Sequence, residues 1–291
     1  MFQPFGFMAT PIPASDADAD AYILAVTTAG GTLSAGEETA IQTLFISLKS
    51  NSLYTKLSFM HPYVGGVADS NKINALNPGT NDLTFSGGSG FAHSVSGSLA
   101  LSNDAVAGTG WIGAPTGGDI NSYHFSFYTA TTNAVGHIGG ALYLQEFGNL
   151  DTLFNTNALF GWLNGADYAI DAGLSYFQGS NNGGYLTVSQ AVMGGTTGIF
   201  GASRTSSTDF RAFKNGSQVG STFATAVNQT FPSFQLMSPG YTNPPNTTGN
   251  QISSQRRRIF TTFGQGLTTG EFSTMSTIIN TFNTSFGRNT Y

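Results

Sequence analysis

The stretch Thr208-Asp-Phe-Arg-Ala-Phe-Lys-Asn-Gly-Ser-Gln-Val-Gly-Ser221 decides how the chain is read. Asn215-Gly216 calls for a two-residue turn with positive φ at both central positions, which Asn followed by Gly tolerates best. A turn there sets Lys214 opposite Ser217, Phe213 opposite Gln218 and Ala212 opposite Val219. Because side chains alternate along a strand, Phe210, Ala212 and Val219 then share one face of the ribbon, and Arg211, Phe213 and Gln218 share the other. A tight ribbon in a chain rich in Gly and Phe implies a broad antiparallel sheet around it.

Composition supports a large β unit. Of 291 residues, 40% are hydrophobic, including 24 Phe and 11 Tyr, enough for a substantial core. Charged residues make up only 9%, far below the roughly 25% of an average soluble domain. Ser, Thr, Asn, Gln and Gly must therefore cover the surface, a profile suited to faces packed in an assembly or exposed outside a cell. The net charge of −5 argues against nucleic acid as the main partner. With no Cys there are no disulfides, thiolate metal sites or Cys nucleophiles. No run of 18 apolar residues is present, so membrane insertion by a helix is not expected.

The N-terminal residues Met1-Phe-Gln-Pro-Phe-Gly-Phe-Met8 are apolar but short, lack Lys and Arg, and are followed by Pro11 and Pro13. They do not read as a signal peptide. Residues 1–14 instead form an arm, which either docks on a partner or neighbouring copy or folds back on its own domain. Residues 15–52 form a helical lead-in. Ser15 caps a first helix with Asp18 three residues on, and Asp16, Asp18 and Asp20 suit the positive end of the helix dipole. The same three Asp have the opening spacing of a calcium loop, but Ala21 and Thr27 stand where that loop needs Gly and Glu, so a structural calcium ion is a side alternative. Ser34-Ala-Gly-Glu37 is a capping box ahead of Ile41, Leu44, Phe45 and Leu48.

Residues 53–291 are assigned to one sandwich with a C-terminal helix over 268–286. Leu53–Tyr63 reads as its first strand. Short alternating segments follow, separated by Gly, Asn, Asp, Ser and Pro clusters. The expected strands are Asp82–Phe85, Ala92–Val95, Tyr123–Thr129, Val135–Gln145, Tyr185–Gln190, Gly198–Arg204, Thr208–Lys214, Gln218–Phe223, Phe234–Met237 and Arg256–Thr262. In Tyr123-His-Phe-Ser-Phe127 the aromatics point one way and His124 and Ser126 the other. The chain closes with a third capping box, Thr268-Thr-Gly-Glu271. Phe272, Met275, Ile279, Phe282 and Phe286 then make one apolar stripe, and Gly287 supplies a left-handed stop. The stripe packs on the sandwich or against another subunit.

Two capped helices lead into Leu53-Tyr-Thr-Lys-Leu-Ser-Phe-Met-His-Pro-Tyr-Val-Gly-Gly66. A β-rich body carries Phe213-Lys-Asn-Gly-Ser217, and Phe263-Gly-Gln-Gly-Leu-Thr-Thr-Gly-Glu271 opens a helix finishing in Phe286-Gly-Arg288. This order resembles a group of bacteriophage and prophage virion structural proteins with a concanavalin A-like (laminin-G-like) jelly-roll. The fold class that this implies is mainly β: a concanavalin A-like lectin/glucanase sandwich. The resemblance also implies a tail-fibre or adhesin component on the surface of an extracellular particle, a homo-oligomer among other virion proteins, with a cell-surface glycan as ligand. Capsid decoration or a head fibre is one alternative; a secreted glycan-binding protein or glycoside hydrolase of the same fold is another.

Retaining glycosidases need two carboxylates about 5 Å apart, and the glucanases of this fold take them from Glu-x-Asp-x-x-Glu on one strand. The chain has four Glu, of which Glu37, Glu38 and Glu271 fall in expected helices. Glu146 has Asp151 five residues on, a spacing that points the two to opposite faces of a strand. His61, His93, His124 and His137 are scattered without metal-ligand spacing. Arg256-Arg-Arg258 reads as a partner contact or as a guard on an edge strand, with Arg257 pointing opposite to its neighbours. Trp111 and Trp162 are flanked by Gly and are read either as loop-presented sugar platforms or as core. The expectation is therefore that the chain is not an enzyme and has no catalytic, cofactor-binding or metal-binding residues.

Overall fold

The computed structural model describes residues 15–86, 90–102, 105–131, 144–150, 158–163, 197–224, 235–237 and 256–290. The described strands are β1 (Leu57–His61), β2 (Thr84–Ser86), β3 (Phe91–Ser94), β4 (Gly97–Ala100), β5 (Val106–Ile112), β6 (Tyr123–Thr129), β7 (Leu144–Leu150), β8 (Ala158–Leu163), β9 (Gly198–Ser206), β10 (Asp209–Lys214), β11 (Ser217–Phe223), β12 (Gln235–Met237) and β13 (Arg257–Gly264). They form two antiparallel sheets. The larger runs β11-β10-β9-β6-β13-β4-β3, with β1 also paired to β13; the smaller runs β2-β5-β12-β7-β8. Trp111 of the smaller sheet packs on Phe59 and Phe263 of the larger, with ring centroids 6.4 Å apart in each case. The fold is an antiparallel β sandwich of jelly-roll type, the class expected from the sequence.

The turn at 215–216 lies at the tip of β10–β11. Asn215 has φ +50° and Gly216 φ +80°, and the pairs Lys214↔Ser217, Phe213↔Gln218 and Ala212↔Val219 form as expected. Asn215 has a second role. Its Oδ1 accepts from the Ile199 amide at 3.0 Å and its own amide donates to the Ile199 carbonyl at 2.8 Å, so the turn also locks the start of β9.

The larger sheet is covered on both faces, which is why every residue of β6 is buried. Tyr123, Phe125 and Phe127 face the smaller sheet, where Phe127 stacks on Phe200 at 5.8 Å. His124, Ser126 and Tyr128 face a helical layer made of α1 (Ala17–Thr28), α2 (Ala35–Ser50), the short α3 (Ala68–Asn71) and α4 (Thr269–Ser285). One hydrophobic cluster joins Leu44, Phe45 and Leu48 of α2, Phe213 and Phe260 of the sheet, and Phe272, Ile279 and Phe282 of α4. At roughly 1.5–3 kcal/mol for each large side chain taken from water, this cluster makes the helices part of the core. The stripe on α4 thus packs on the sheet, and Gly287 ends the helix region with φ +64°. Both capping boxes form, Ser34 with Glu37 and Thr268 with Glu271.

Several expectations are corrected. The cap of α1 is Asp16, whose Oδ1 accepts from the amides of Asp18 and Ala19, while Ser15 donates to Asp20. The carboxylate wins the cap because the Lys49 ammonium holds it in place at 2.7 Å. The first strand shortens to Leu57–His61 because Tyr54–Lys56 turn as a 3-10 helix. Three strands, β4, β5 and β8, form outside the segments named as strands from the sequence. Arg258 does not guard an edge: β13 lies between β6 on one side and β4 and β1 on the other. Its guanidinium is buried 4.8 Å above the Phe127 ring, a cation–π contact. Arg257 does point the other way and stays half-buried, donating to Ser94 Oγ at 2.8 Å. Tyr185–Gln190, and Val135–Gln145 apart from its last two residues, lie outside the described residues, as do residues 1–14.

Candidate functional site

The loop from Gly113 to Ser122 crosses from β5 in the smaller sheet to β6 in the larger, at one rim of the sandwich. It is stapled from two directions. The Thr116 amide donates to Ser58 Oγ at 2.8 Å, and Gln265 Nε2 donates to the Thr116 carbonyl at 3.0 Å. Gly117 has φ +67°, a left-handed backbone that favours glycine. Further along, Asp119 and Ser122 exchange backbone hydrogen bonds at 3.2 and 3.0 Å, and Asp119 Oδ1 accepts from the Asn121 amide at 2.6 Å. This closes a small Asx-type turn that leaves the Asp119 side chain exposed.

Trp111 stands beside this loop. One side of its ring packs on Phe59 and Phe263, its indole N–H donates to the Ala114 carbonyl at 3.2 Å, and the residue remains half-exposed. Ile112 next to it is 60% exposed. The sequence left Trp111 open between platform and core; it is a strand residue that does some of each. Thr116 and Asp119 are exposed on the same rim. A braced indole together with exposed hydroxyl and carboxylate groups on a stapled loop offers the kinds of group that contact a polyhydroxylated ligand.

Below the rim lies a relay of buried polar groups. A carbonyl only accepts, so His124 Nδ1 carries the proton that it donates to Gln265. Its Nε2 then accepts from Thr262 Oγ1 at 3.3 Å, and Thr262 accepts from Ser126 at 2.7 Å. Burial pushes the His124 ring down to about 4, against the pull of that carbonyl. His61 is likewise buried and pushed down to about 4, with Nε2 donating to the Asn81 carbonyl at 3.0 Å. His93 is half-buried on β3, its Nδ1 2.9 Å from Ser98 Oγ. The three are structural partners of separate neighbours, and His137 lies outside the described residues.

Glu146 sits in β7 at an irregularity, between the pairs Gln145↔Trp162 and Phe147↔Gly161. Asp151 lies outside the described residues, beyond the end of that strand. Trp162 belongs to β8 rather than to a loop. Asp16 and Asp18 are both held by Lys49, and Asp20 accepts from Gln42 at 2.6 Å and from Ser15, so the three do not converge on a common point. Among the described residues no group of three His, Cys, Asp or Glu is placed to hold a metal ion. Nor is any described helix long and apolar enough to cross a membrane.

No protein-family model and no curated protein matches the chain. Solved structures do. A mutant of Trypanosoma rangeli sialidase displaying trans-sialidase activity aligns with a TM-score of 0.47 at 9% identity, covering 84% of this chain and 40% of the sialidase. Domain 4 of AbnA, a GH43 extracellular arabinanase from Geobacillus stearothermophilus, in complex with arabinotriose, aligns with a TM-score of 0.43 at 11% identity, covering 76% and 98%. A SAP-like pentraxin from Limulus polyphemus gives 0.34 at 10%, covering 56% and 72%. The chain thus spans about two fifths of the sialidase's length.

One expectation is corrected here. The reading that the chain is not an enzyme is overturned by the presence of sialidases and an arabinanase domain among these structures. The physical reason is that a missing Glu-x-Asp-x-x-Glu excludes one arrangement of catalytic carboxylates, whereas a sandwich can mount a site on many others. The likeness itself concerns the fold and assigns neither substrate nor residue.

Proposed function

We propose that this chain is a lectin-like structural component of a bacteriophage particle, acting in attachment to a host surface through glycan contacts at the Trp111 rim. The observation that carries the reading is the pairing of a half-exposed indole, braced from behind by Phe59 and Phe263, with exposed Thr116 and Asp119 on a stapled loop. A charge-poor surface supports it, as does the motif order from the capped helices to Phe286-Gly-Arg288. The test has two arms. Particle micrographs with the protein labelled locate it on tail or capsid. A glycan array then compares the natural chain with Asp119→Asn and Ile112→Ser, two surface changes that leave the Phe59–Trp111–Phe263 packing alone. Binding that both changes weaken supports the rim. An array without a ligand, with label on the capsid, favours surface decoration instead; absence from the particle refutes the reading.

A further inference from the structure

We infer, resting on the glycan reading of the Trp111 rim, that the rim takes uncharged or amine-bearing sugars and turns away those carrying a carboxylate, sulfate or phosphate. Between Lys72 and Arg204, and again between Lys214 and Arg256, the chain has no Lys or Arg. Those two stretches supply every strand of the smaller sheet, β2, β5, β7, β8 and β12, together with the whole loop from Gly113 to Ser122. The first stretch also carries seven acidic residues, Asp119 among them. A cation that meets a ligand at the rim must therefore come from the larger sheet or from the helices.

Each of those cations is committed elsewhere. Arg204, Arg256, Arg258 and Arg288 are buried. Lys49, Lys72 and Arg211 are held by Asp16, Asp69 and Asp209 at 2.7, 2.6 and 2.6 Å. Lys214 pairs with Phe200, which pairs with Phe127, toward the end of β6 away from the loop; its ammonium lies 5.4 Å from the Phe200 ring centroid. Arg257 is at that same far end, next to the Arg258↔Thr129 pair, and donates to Ser94. Lys56 comes closest to the loop's staple, its carbonyl accepting from the Gln265 amide at 2.8 Å, but its ammonium pairs with Glu271 of α4 at 2.6 Å. His61 and His124 are buried and neutral. Asp119 stays exposed, without an ion pair among the described residues. An anionic sugar would lose water here and meet a like charge with no cation to offset it, whereas an ammonium would gain Asp119.

The test measures binding of the full chain at about pH 8, where an ordinary histidine is neutral, to oligosaccharides arrayed as matched pairs. One set carries each backbone with and without a sialic acid, uronic acid or sulfate; the other carries amino sugars with and without the N-acetyl group. At about 0.01 M salt the uncharged member is expected to bind at least about tenfold tighter than its acidic partner, and the free amine at least as tightly as the acetylated form. Raising salt to about 1 M, which shortens the reach of a charge to about 3 Å, is expected to close most of that gap. Thr116→Lys, which leaves the backbone staples of the loop in place, is expected to narrow it about tenfold at low salt. Acidic members that bind as tightly as their partners overturn the inference and leave the glycan reading standing. A gap that salt does not move is steric and overturns it as well, an outcome read on the natural chain whether or not the variant folds. Should no member of any pair bind, the glycan reading itself falls, and the inference with it.

Discussion

Phe213 lies flat on Phe272, their ring centroids 4.1 Å apart and their planes within 12°. The hairpin that decides the fold and the helix that closes the chain thus meet in one stack. Phe272 also reaches the sheet at Gly201, where a Cβ would stand 2.5 Å from its Cζ. Phe272→Ala is expected to cost about 3–5 kcal/mol, as for other buried Phe truncations. Urea unfolding monitored by circular dichroism checks this; an unchanged slope with a lower midpoint identifies a loss of stability and not a change in the unfolded chain.

Asn215 combines a left-handed backbone with an acceptor for the Ile199 amide, so its two roles can be separated. Asn215→Asp keeps the acceptor and tolerates positive φ, and is expected to lose well under 1 kcal/mol. Asn215→Ala loses both and is expected to cost about 2–3 kcal/mol. Gly216 is bounded differently. A Cβ there would lie 3.2 Å from Ser276 Cβ of α4 with φ at +80°, so Gly216→Val is expected to be the most damaging of the three. Thermal melts of the set give the order.

What was legible in the sequence was local. The turn at 215–216, the two capping boxes and the stripe on α4 each depend on neighbours within a few residues, and each forms as read. What was not legible depended on distant partners. β5 carries Gly108 and Gly110 and is not picked out as a strand from the sequence, yet it is one because β2 and β12 pair with it on either side. Alternation correctly separates Arg257 from Arg258, but only the position of β13 beside β6 reveals that Arg258 lies over Phe127 in the interior. The candidate site was half visible. Gly on both sides of Trp111 drew attention to it, whereas its bracing by Phe59 and Phe263 follows from the facing of two sheets, and the loop's staples come from Ser58 and Gln265.

The acidic start of α1 bears on calcium. Burial pushes the Asp16 carboxyl up, but the Lys49 ammonium and the amides of Ala19 and Asp18 outweigh this and hold it below the ordinary carboxylate range. Lys49 also binds Asp18 at 2.7 Å, so an ammonium already occupies the place between these two carboxylates that a calcium ion would take. Melting temperatures in EDTA and in millimolar calcium are expected to coincide. Lys49→Met is expected to destabilise by about 1 kcal/mol or less, since the pair is partly exposed. A calcium-dependent rise in the melting temperature of the natural chain would assign these carboxylates a different role.

Buried neutral histidines set the acid side of the stability curve. His61 and His124 are held to about 4 in the folded chain, while each titrates near 6.5 once unfolded. Between those values the unfolded state binds more protons, so stability rises with pH across the window. The contribution is fully present above about 6.5 and is lost as pH falls toward 4, at up to about 1.4 kcal/mol per pH unit for each ring. Asp16 acts in the same direction but lower, around and below its ordinary carboxylate value, and does not mask the histidines. Urea midpoints are expected to fall steadily from about pH 7 to about pH 5. His124→Gln removes one titrating ring and keeps a side chain able to donate to the Gln265 carbonyl; it is expected to lower overall stability yet to reduce the slope between those two pH values, leaving the parts due to His61 and to His93, which burial also pushes down. An unchanged slope would mean that folded His124 carries a second proton, on Nε2, and the relay through Thr262 and Ser126 would then run in the opposite sense.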